Sequence, residues 1–309
     1  MSPEPLHPVV FVGAGAVSRH LIPWFQQHGL VVSGIISQRL SSATSLQEAY
    51  DLSFSSSSLT SLPSSTQLIA LAVPDKAIAE VAQQLAQLPF SWRHKTVLHF
   101  SGSMPASLLA PLADKGATIL SFHPLQTFPS THTPPSLKHI YVGIEGPPAG
   151  IDQGQQLARL LSWHPLILRP EVKPLYHLAA TVASNFLVTL IALSTEIGQA
   201  TGISEQTFRQ MLYPLLLQTL KNLQQSAPEK VLTGPVARGD LPTIEQHLQL
   251  IKQQIPHLLP TISALIMETV RIAIRGHQLL PDEGDAILEA VDKSLYPDRE
   301  NGGVNIQSN

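Results

Sequence analysis

Cysteine is absent from the 309-residue sequence, and charged residues make up only 13% of it. The absence of cysteine excludes disulfides, thiol nucleophiles and thiolate metal sites, and it agrees with a cytoplasmic location. The net charge of −3 argues against a nucleic-acid partner. The N-terminal residues contain neither a basic segment nor a long apolar run, so we expect no signal peptide.

The chain holds enough apolar material for a sizeable core. Apolar residues make up 43% of the sequence, and 309 residues suffice for one large domain or two ordinary ones. The most apolar segment, 178–194, is interrupted by Ser184, Asn185 and Thr189. These polar side chains favour a packed helix over a membrane span, so we expect no membrane partner.

A strand, a glycine turn and a helix are indicated near the N-terminus. Val9–Val12 form an apolar run, and a G-x-G-x-x-S arrangement ending at Ser18 follows, with a helical pattern from Ala16. In dinucleotide-binding folds the glycines permit a sharp turn and a close approach of the pyrophosphate. The helix start attracts phosphate through its free N–H groups. A purely structural turn is the alternative. The residues expected to contact the cofactor here are Gly13, Ala14, Gly15, Ala16 and Val17.

The end of the second predicted strand, 30–36, bears on the choice of cofactor. Ser37 and Arg39 follow it, where NAD-specific folds place an acidic residue. A hydroxyl and a guanidinium suit the 2′-phosphate of NADP. We therefore predict NADP(H), with an ordinary solvated loop as the alternative.

Strand and helix patterns alternate over the first 170 residues. Further apolar strands are predicted at 67–73, 96–100, 118–122, 140–144 and 166–168. The serine-rich segment 53–65 is predicted to be a solvated loop. The alternation indicates an α/β fold class, with a Rossmann-like, mostly parallel sheet domain over 1–170. Helical patterns without strands follow, so 171–309 is predicted to be an all-α domain.

Several of the predicted strands end in loops that carry candidate ligand contacts. Ligands bind at the carboxyl ends of strands in open α/β sheets, so we expect Val73, Pro74 and Ser101 beside the cofactor. His99 and His123 also fall at strand exits. We expect them to line the nicotinamide pocket or to cap the strands. The hydroxyls and apolar groups around them argue against a metal site.

A polar cluster is predicted at the start of the long helix that follows residue 172. Helical spacing puts Lys173, His177 and Ser184 on one face, with Asn185 toward its edge. When hydride attacks a carbonyl carbon, a cation near the oxygen stabilises the growing negative charge and can deliver a proton. Lys173 is the first candidate for this donor and His177 the second, while Asn185 is suited to orienting a substrate. The alternative for Lys173 is an ordinary surface lysine.

A second polar loop, 233–240, contains Arg238 between Gly234 and Gly239, and Asp240 follows directly. An arginine in such a loop can bind a substrate carboxylate through its planar fork. The alternative is an Arg–Asp pair that only closes the loop.

Six segments together resemble a bacterial family of two-domain proteins with an N-terminal Rossmann-like domain and a C-terminal helical domain of unknown function. These segments are GAGAVS at 13–18, AVPD at 72–75, HFSGS at 99–103, SFHPLQTF at 121–128, KPLYHLAATVASNF at 173–186 and GPVARGD at 234–240. The family is similar to 6-phosphogluconate dehydrogenase, 3-hydroxyisobutyrate dehydrogenase, pyrroline-5-carboxylate reductase and 2-oxopantoate reductase.

The resemblance implies an enzyme, and it bears on individual residues. In the β-hydroxyacid dehydrogenases, a lysine that begins the long helix is catalytic and an asparagine follows four residues later. Lys173 falls on that lysine, whereas His177 occupies the asparagine position and Asn185 is expected to take over part of its role. The resemblance also implies a homodimer formed through the helical domain.

The residues and the resemblance together predict an NADPH-dependent oxidoreductase that reduces a small 2-oxo acid, and the resemblance implies 2-oxopantoate as the leading candidate. His123, Ser184, Arg238 and Asp240 are expected around the substrate. Two alternatives stay open. One is an imine reductase of the pyrroline-carboxylate type or a deazaflavin-linked NADP reductase, and the other is a non-catalytic NADP-binding regulatory protein.

Overall fold

The computed structural model describes residues 6–130 and 135–297. The tail 301–309, predicted to be frayed, lies outside these residues. The chain divides into two compact units, Met1–Phe186 and Leu187–Asn309. The boundary predicted between residues 170 and 171 precedes the long helix, and this division falls within the helix instead.

The first unit is built on one eight-stranded sheet. Its strands, in chain order, are β1 (Val9–Val12), β2 (Val32–Ile36), β3 (Phe54–Ser56), β4 (Leu68–Leu71), β5 (Thr96–His99), β6 (Thr118–Pro124), β7 (Tyr141–Glu145) and β8 (His164–Ile167). They are ordered β3-β2-β1-β4-β5-β6-β7-β8 across the sheet. Every neighbouring pair is parallel except β6 and β7. The predicted Rossmann-like, mostly parallel sheet is confirmed.

Helices cover both faces of this sheet because the central strands are apolar on both sides. The helices are α1 (Ala16–Gln27), α2 (Leu40–Tyr50), α3 (Ile78–Ala86), α4 (Ala110–Ala113) and α5 (Pro148–Leu160). Alternate residues of β1 point to opposite sides. Phe11 packs in one core cluster with side chains of α1, α2 and α5, and Val10 packs in the other with side chains of α3 and α4.

One loop prediction and one strand boundary were wrong. The serine-rich segment 53–65 is not only a loop, because β3 pairs with β2 at the sheet edge and the Phe54 ring occupies the space beside Gly34. The strand predicted at 118–122 continues through Pro124, so His123 lies within β6 and pairs with Gly143 of β7. Both differences arise because pairing with a neighbouring strand supplied order that local composition did not indicate.

The long helix α6 (Lys173–Gln199) begins in the first unit. The second unit contains α7 (Glu205–Gln225), α8 (Pro228–Val231), α9 (Leu241–Gln254), α10 (Leu259–Arg275) and α11 (Pro281–Leu295). This helix-rich C-terminal region confirms the predicted class. Its apolar core comes mainly from α9, α10 and α11. In contrast, α7 has no buried residue.

Helical spacing predicts a helix over 243–254 with Thr243 as its N-cap, and the structure corrects this start. The helix begins at Leu241, and Asp240 is the N-cap residue. The Asp240 carboxylate accepts hydrogen bonds from the Thr243 backbone N–H at 3.3 Å and from its hydroxyl at 2.8 Å. Aspartate satisfies the free N–H groups of a helix start in this way.

Candidate active site

The glycine turn after β1 has a geometry that requires glycine at its first position. Gly13 has φ +106°, and a Cβ there would lie 2.2 Å from the Ala72 carbonyl oxygen. Ser18, which replaces the third glycine of the pattern, is fully buried and donates its hydroxyl hydrogen to the Gly13 carbonyl. The small Ser18 side chain therefore stabilises the turn through this hydrogen bond, and α1 still packs closely on β1.

The outer side of the same turn is open. Gly15 precedes the first residue of α1, and a Cβ built on it would meet no atom within 4 Å. Backbone N–H groups at the start of α1 are thus accessible to a phosphate. Ser37 and Arg39 follow the neighbouring strand β2, and Arg39 is exposed at the start of α2. No hydrogen bond from the Arg39 guanidinium is found among the described residues.

Polar side chains meet at the carboxyl ends of β4 and β5. Asp75 follows β4 after Val73 and Pro74, and its Oδ2 accepts hydrogen bonds from Ser101 Oγ at 2.9 Å and Ser103 Oγ at 3.0 Å. The Ser101 hydroxyl also accepts the Met104 N–H at 3.0 Å. Ser101 therefore fixes the loop after β5, which is a role that its strand-end position alone did not reveal.

His99 contacts the same loop through both of its ring nitrogens. It is fully buried, its Nδ1 accepts the Ser101 N–H at 3.2 Å, and its Nε2 lies 3.2 Å from the Pro105 carbonyl oxygen. These two partners require a hydrogen on Nε2 and none on Nδ1. Burial, followed by the nearby Lys173 cation, lowers the pKa of His99 to about 4. The neutral ring therefore caps the strand end, which was one of the two roles expected for it.

Lys173, the predicted proton donor, occupies a closed polar network. Its side chain is 1% exposed, and Nζ donates to the Met104 carbonyl, to Ser121 Oγ at 2.5 Å and to Glu145 Oε2 at 3.4 Å. An ammonium has three hydrogens, and all three are engaged here. Burial lowers the pKa of Lys173, although Glu145 partly opposes this effect. Glu145 Oε2 also accepts the Ala106 N–H at 2.7 Å.

His123 and His177 meet beside the loop after β5. The centroids of the two rings are 6.0 Å apart. A Cβ at Gly102 would lie 2.6 Å from the His177 ring and 2.8 Å from His123 Nε2, so the loop backbone contacts both rings. His123 Nδ1 is 3.2 Å from the Tyr176 hydroxyl. Burial, followed by His177, lowers the pKa of His123 to about 4.

Tyr176 and Glu145 complete this arrangement, and neither was among the predicted site residues. Tyr176 occupies the space left by Gly143, where a Cβ would lie 3.1 Å from the Tyr176 hydroxyl. Burial raises its pKa to about 12. One signal was present in the sequence, since Tyr176 lies one helical turn after Lys173 and directly before His177. No local pattern indicates that Glu145 faces Lys173.

The other predicted substrate contacts belong to later parts of the chain. Ser184 and Asn185 follow Lys173 by three turns of α6, which separates them by about 17 Å along the helix axis. In the second unit, Arg238 Nη2 lies 3.8 Å from Asp240 Oδ2, and the Thr243 hydrogen bonds lower the pKa of Asp240. The helix cap accounts for Asp240, and substrate binding by these residues stays a prediction. The described residues contain no cluster of three side chains suited to a metal.

Two family models match successive parts of the chain. Residues 4–124 match a Rossmann-like domain, and residues 140–266 match DUF2520, a domain of unknown function. The chain thus combines a Rossmann-like domain with a DUF2520 domain, which confirms the two-domain family that the sequence resembles. No curated protein gives a significant match.

Solved structures of the same fold cover nearly the whole of this chain. Protein TM1727 from Thermotoga maritima is 26% identical with a TM-score of 0.63, and protein BF3122 from Bacteroides fragilis is 22% identical with a TM-score of 0.71; each match covers 85% of this chain and 98% of the other. A reductive aminase from Aspergillus terreus in complex with NADPH and ethyl levulinate is 19% identical, with a TM-score of 0.63 and coverage of 90% and 97%. Pyrroline-5-carboxylate reductases and imine reductases also match.

Proposed function

We propose that this chain is an NADPH-dependent reductase that transfers hydride to the C=O group of a small 2-oxo acid, with 2-oxopantoate as the leading candidate. The observation that carries the proposal is that two features lie at the same edge of the sheet. The glycine turn after β1 and the histidine pair beside Gly102 both lie at the carboxyl ends of strands in one sheet. Ligands bind at this edge in Rossmann-like folds.

The residues present fit a dinucleotide. Gly13 and Gly15 would hold the pyrophosphate against the start of α1, because the turn leaves no side chain in its path. Ser37 and Arg39 would bind the 2′-phosphate, and Val73, Pro74 and Ser101 would line the nicotinamide half. The nucleotide supplies a hydride when bound. The NADPH complex of the Aspergillus terreus reductive aminase supports this cofactor.

Hydride transfer to a carbonyl makes its oxygen negative, and the histidine pair suits that charge. The oxygen then takes a proton from exposed His177, which solvent replaces, and the product is the alcohol. His177 is exposed and His123 lies next to it, so a substrate oxygen beside Gly102 would find N–H donors. We assign Lys173 a supporting role, because its three N–H groups already bind internal acceptors and its side chain is 1% exposed. Ser184, Asn185 and Arg238 remain candidates for further substrate contacts.

Reduction of an imine is the second candidate, because several of the matching structures are imine reductases or pyrroline-5-carboxylate reductases. An iminium carbon already carries positive charge and needs little help from an acid. The two reactions therefore differ in their demand on His123 and His177. Replacing either histidine by glutamine should slow carbonyl reduction strongly and imine reduction only slightly.

A two-stage experiment tests the proposal. Calorimetry first measures NADPH and NADH binding to the purified chain, with Arg39→Ala as the variant expected to lose the preference for NADPH. Matched panels of 2-oxo acids and cyclic imines then follow, with NADPH absorbance as the readout. Turnover of a 2-oxo acid supports the proposal, and turnover of imines alone supports the second candidate. Tight binding without turnover of either panel would favour a regulatory role, and absence of binding would contradict both reductase assignments.

We also propose that the chain acts as a cytoplasmic homodimer joined through its helices. In α7, Tyr213 and Leu215 are more than 60% exposed, and no residue of this 21-residue helix is buried. In proteins most of the stability of a helix comes from packing of its apolar face, so the exposed apolar side chains of α7 need a cover. Among the described residues, the helical stretches Pro170–Gln199 and Pro256–Arg275 are long and apolar enough to cross a membrane, by length and composition only. Light scattering of the detergent-free protein tests the dimer, and a monomer at all concentrations would contradict it.

A further inference from the structure

Tyr176 and His123 form a pair whose hydrogen-bond direction determines what His123 offers to a ligand. Tyr176 Oη lies 3.2 Å from His123 Nδ1, and the two rings meet edge to face with centroids 5.6 Å apart. Either atom of such a pair could carry the hydrogen. The choice fixes the tautomer, because a neutral imidazole holds a single hydrogen on one of its two nitrogens.

The acid strengths of the two groups favour donation by Tyr176. A phenol is a stronger acid than a neutral imidazole N–H, and the bare imidazole nitrogen is a stronger base than a phenol oxygen. Burial keeps the phenol protonated, since it raises the pKa of Tyr176 to about 12. Burial and the adjacent His177 keep the imidazole neutral, since they lower the pKa of His123 to about 4. Nδ1 is then the acceptor and Nε2 carries the hydrogen.

The position of Nε2 allows this tautomer to donate a hydrogen bond to a ligand. A Cβ on residue 102 would lie 2.8 Å from Nε2, and only a glycine there leaves the nitrogen uncovered. Among the described residues, His123 makes no hydrogen bond other than the one to Tyr176. The N–H at Nε2 is therefore available at the carboxyl edge of the sheet. In contrast, each hydrogen of the Lys173 ammonium already has an internal acceptor.

The chain makes room for Tyr176 next to His123. In the antiparallel pair of β6 and β7, His123 is opposite Gly143. A Cβ on Gly143 would lie 3.1 Å from the Tyr176 hydroxyl and 2.8 Å from Leu168 Cδ1, so a side chain there would displace the phenol. Gly143 leaves room for the hydroxyl that contacts His123 Nδ1, and Gly102 leaves His123 Nε2 uncovered.

We infer that Tyr176 is a positioning residue that holds His123 in the tautomer with its hydrogen on Nε2, which makes His123 a neutral hydrogen-bond donor to the substrate oxygen beside Gly102. The inference rests on the proposed reductase function and adds the residue that prepares the donor. A fixed neutral donor stabilises an oxygen as it becomes negative and needs no reorganisation during the reaction.

The tautomer can be measured without cofactor or substrate. Nitrogen NMR of the protein labelled in histidine distinguishes a bare ring nitrogen from one that carries hydrogen, and the signals lost in His123→Gln identify this residue. We expect a hydrogen on Nε2 and a bare Nδ1 in the unaltered protein. Tyr176→Phe and Gly143→Ala should both convert this pattern into a mixture of tautomers. Tyr141→Phe, on the exposed part of β7, is the matched control and should leave it unchanged.

Kinetics test the consequence for the reaction. Tyr176→Phe should lower kcat for a carbonyl substrate about tenfold or more, with a much smaller change in KM, because the donor acts mainly on the transition state. In the His123→Gln background, whose amide needs no tautomer, Tyr176→Phe should have little further effect. A hydrogen on Nδ1 in the unaltered protein, or an unchanged kcat in Tyr176→Phe, would overturn the inference. An inactive unaltered protein would overturn the proposed function instead, and the NMR signals would still decide the tautomer.

Discussion

Replacing Lys173 by methionine should destabilise the first unit by about 3–5 kcal/mol, because the change leaves a buried charge without its partner. Glu145 is 4% exposed, and the Lys173 ammonium lies 3.4 Å from its Oε2. The acceptors Met104 O and Ser121 Oγ also lose their shared donor. Methionine fills a similar volume, so the loss reports charge and hydrogen bonding more than a cavity.

Tryptophan fluorescence is well suited to this measurement, because Trp24, Trp92 and Trp163 all lie in the first unit. Urea unfolding followed by this signal should show the full loss for Lys173→Met. The double variant Lys173→Met/Glu145→Gln should recover at least half of it, since neutral partners remove the unpaired charge. Lys115→Met, at an exposed position, should stay within about 0.5 kcal/mol of the unaltered protein.

The pH dependence of the free energy of unfolding provides a second, independent test. Burial lowers the pKa of Lys173 below its usual 10.5. In the alkaline range between the lowered value and 10.5, the unfolded chain binds more protons, so this lysine makes stability rise with pH. Lys173→Met should lack that rise. A loss below about 1 kcal/mol, or no recovery in the double variant, would refute the closed network described for Lys173.

Four further outcomes are expected. Gly13→Ala should abolish NADPH binding in calorimetry and lower the melting temperature, because φ is +106° and Ala72 blocks a Cβ. Arg39→Ala should weaken NADPH binding about tenfold and leave NADH binding unchanged. Asp240→Ala should cost about 1 kcal/mol in urea unfolding through loss of the helix cap. The stabilisation by neutral His99 is fully present above pH 6.5 and is lost as the pH falls toward about 4. His99→Gln should therefore make the free energy of unfolding depend less on pH in this range.

Local patterns predicted much of the fold. The bounds of β1 agree with the apolar run that indicated them. The glycine turn was predictable because its requirement is a backbone conformation at one position, Gly13. The short strand β3 was not predictable, because it owes its order to pairing with β2 and to contact between Phe54 and Gly34 rather than to its own composition.

The candidate site was predicted only in part, since its contacts join residues far apart in the chain. The sequence placed Lys173 at the start of a helix but could not show that Ser121 and Glu145 would enclose its ammonium. His123 was expected near the nicotinamide, whereas its bond to Tyr176 depends on the antiparallel register of β6 with β7. Both relationships follow from tertiary packing, which no local spacing encodes.

The first turn of α6 is attached to the sheet at two levels, by Lys173 at Ser121 and by Tyr176 at His123. The two attachments together fix both the rotation of the helix about its axis and its position along that axis. Inserting a single residue between them would turn one attachment away from the sheet by about 100°. Changes from Leu178 onward leave both attachments intact, so directed evolution of substrate preference has the most freedom in that part of the helix.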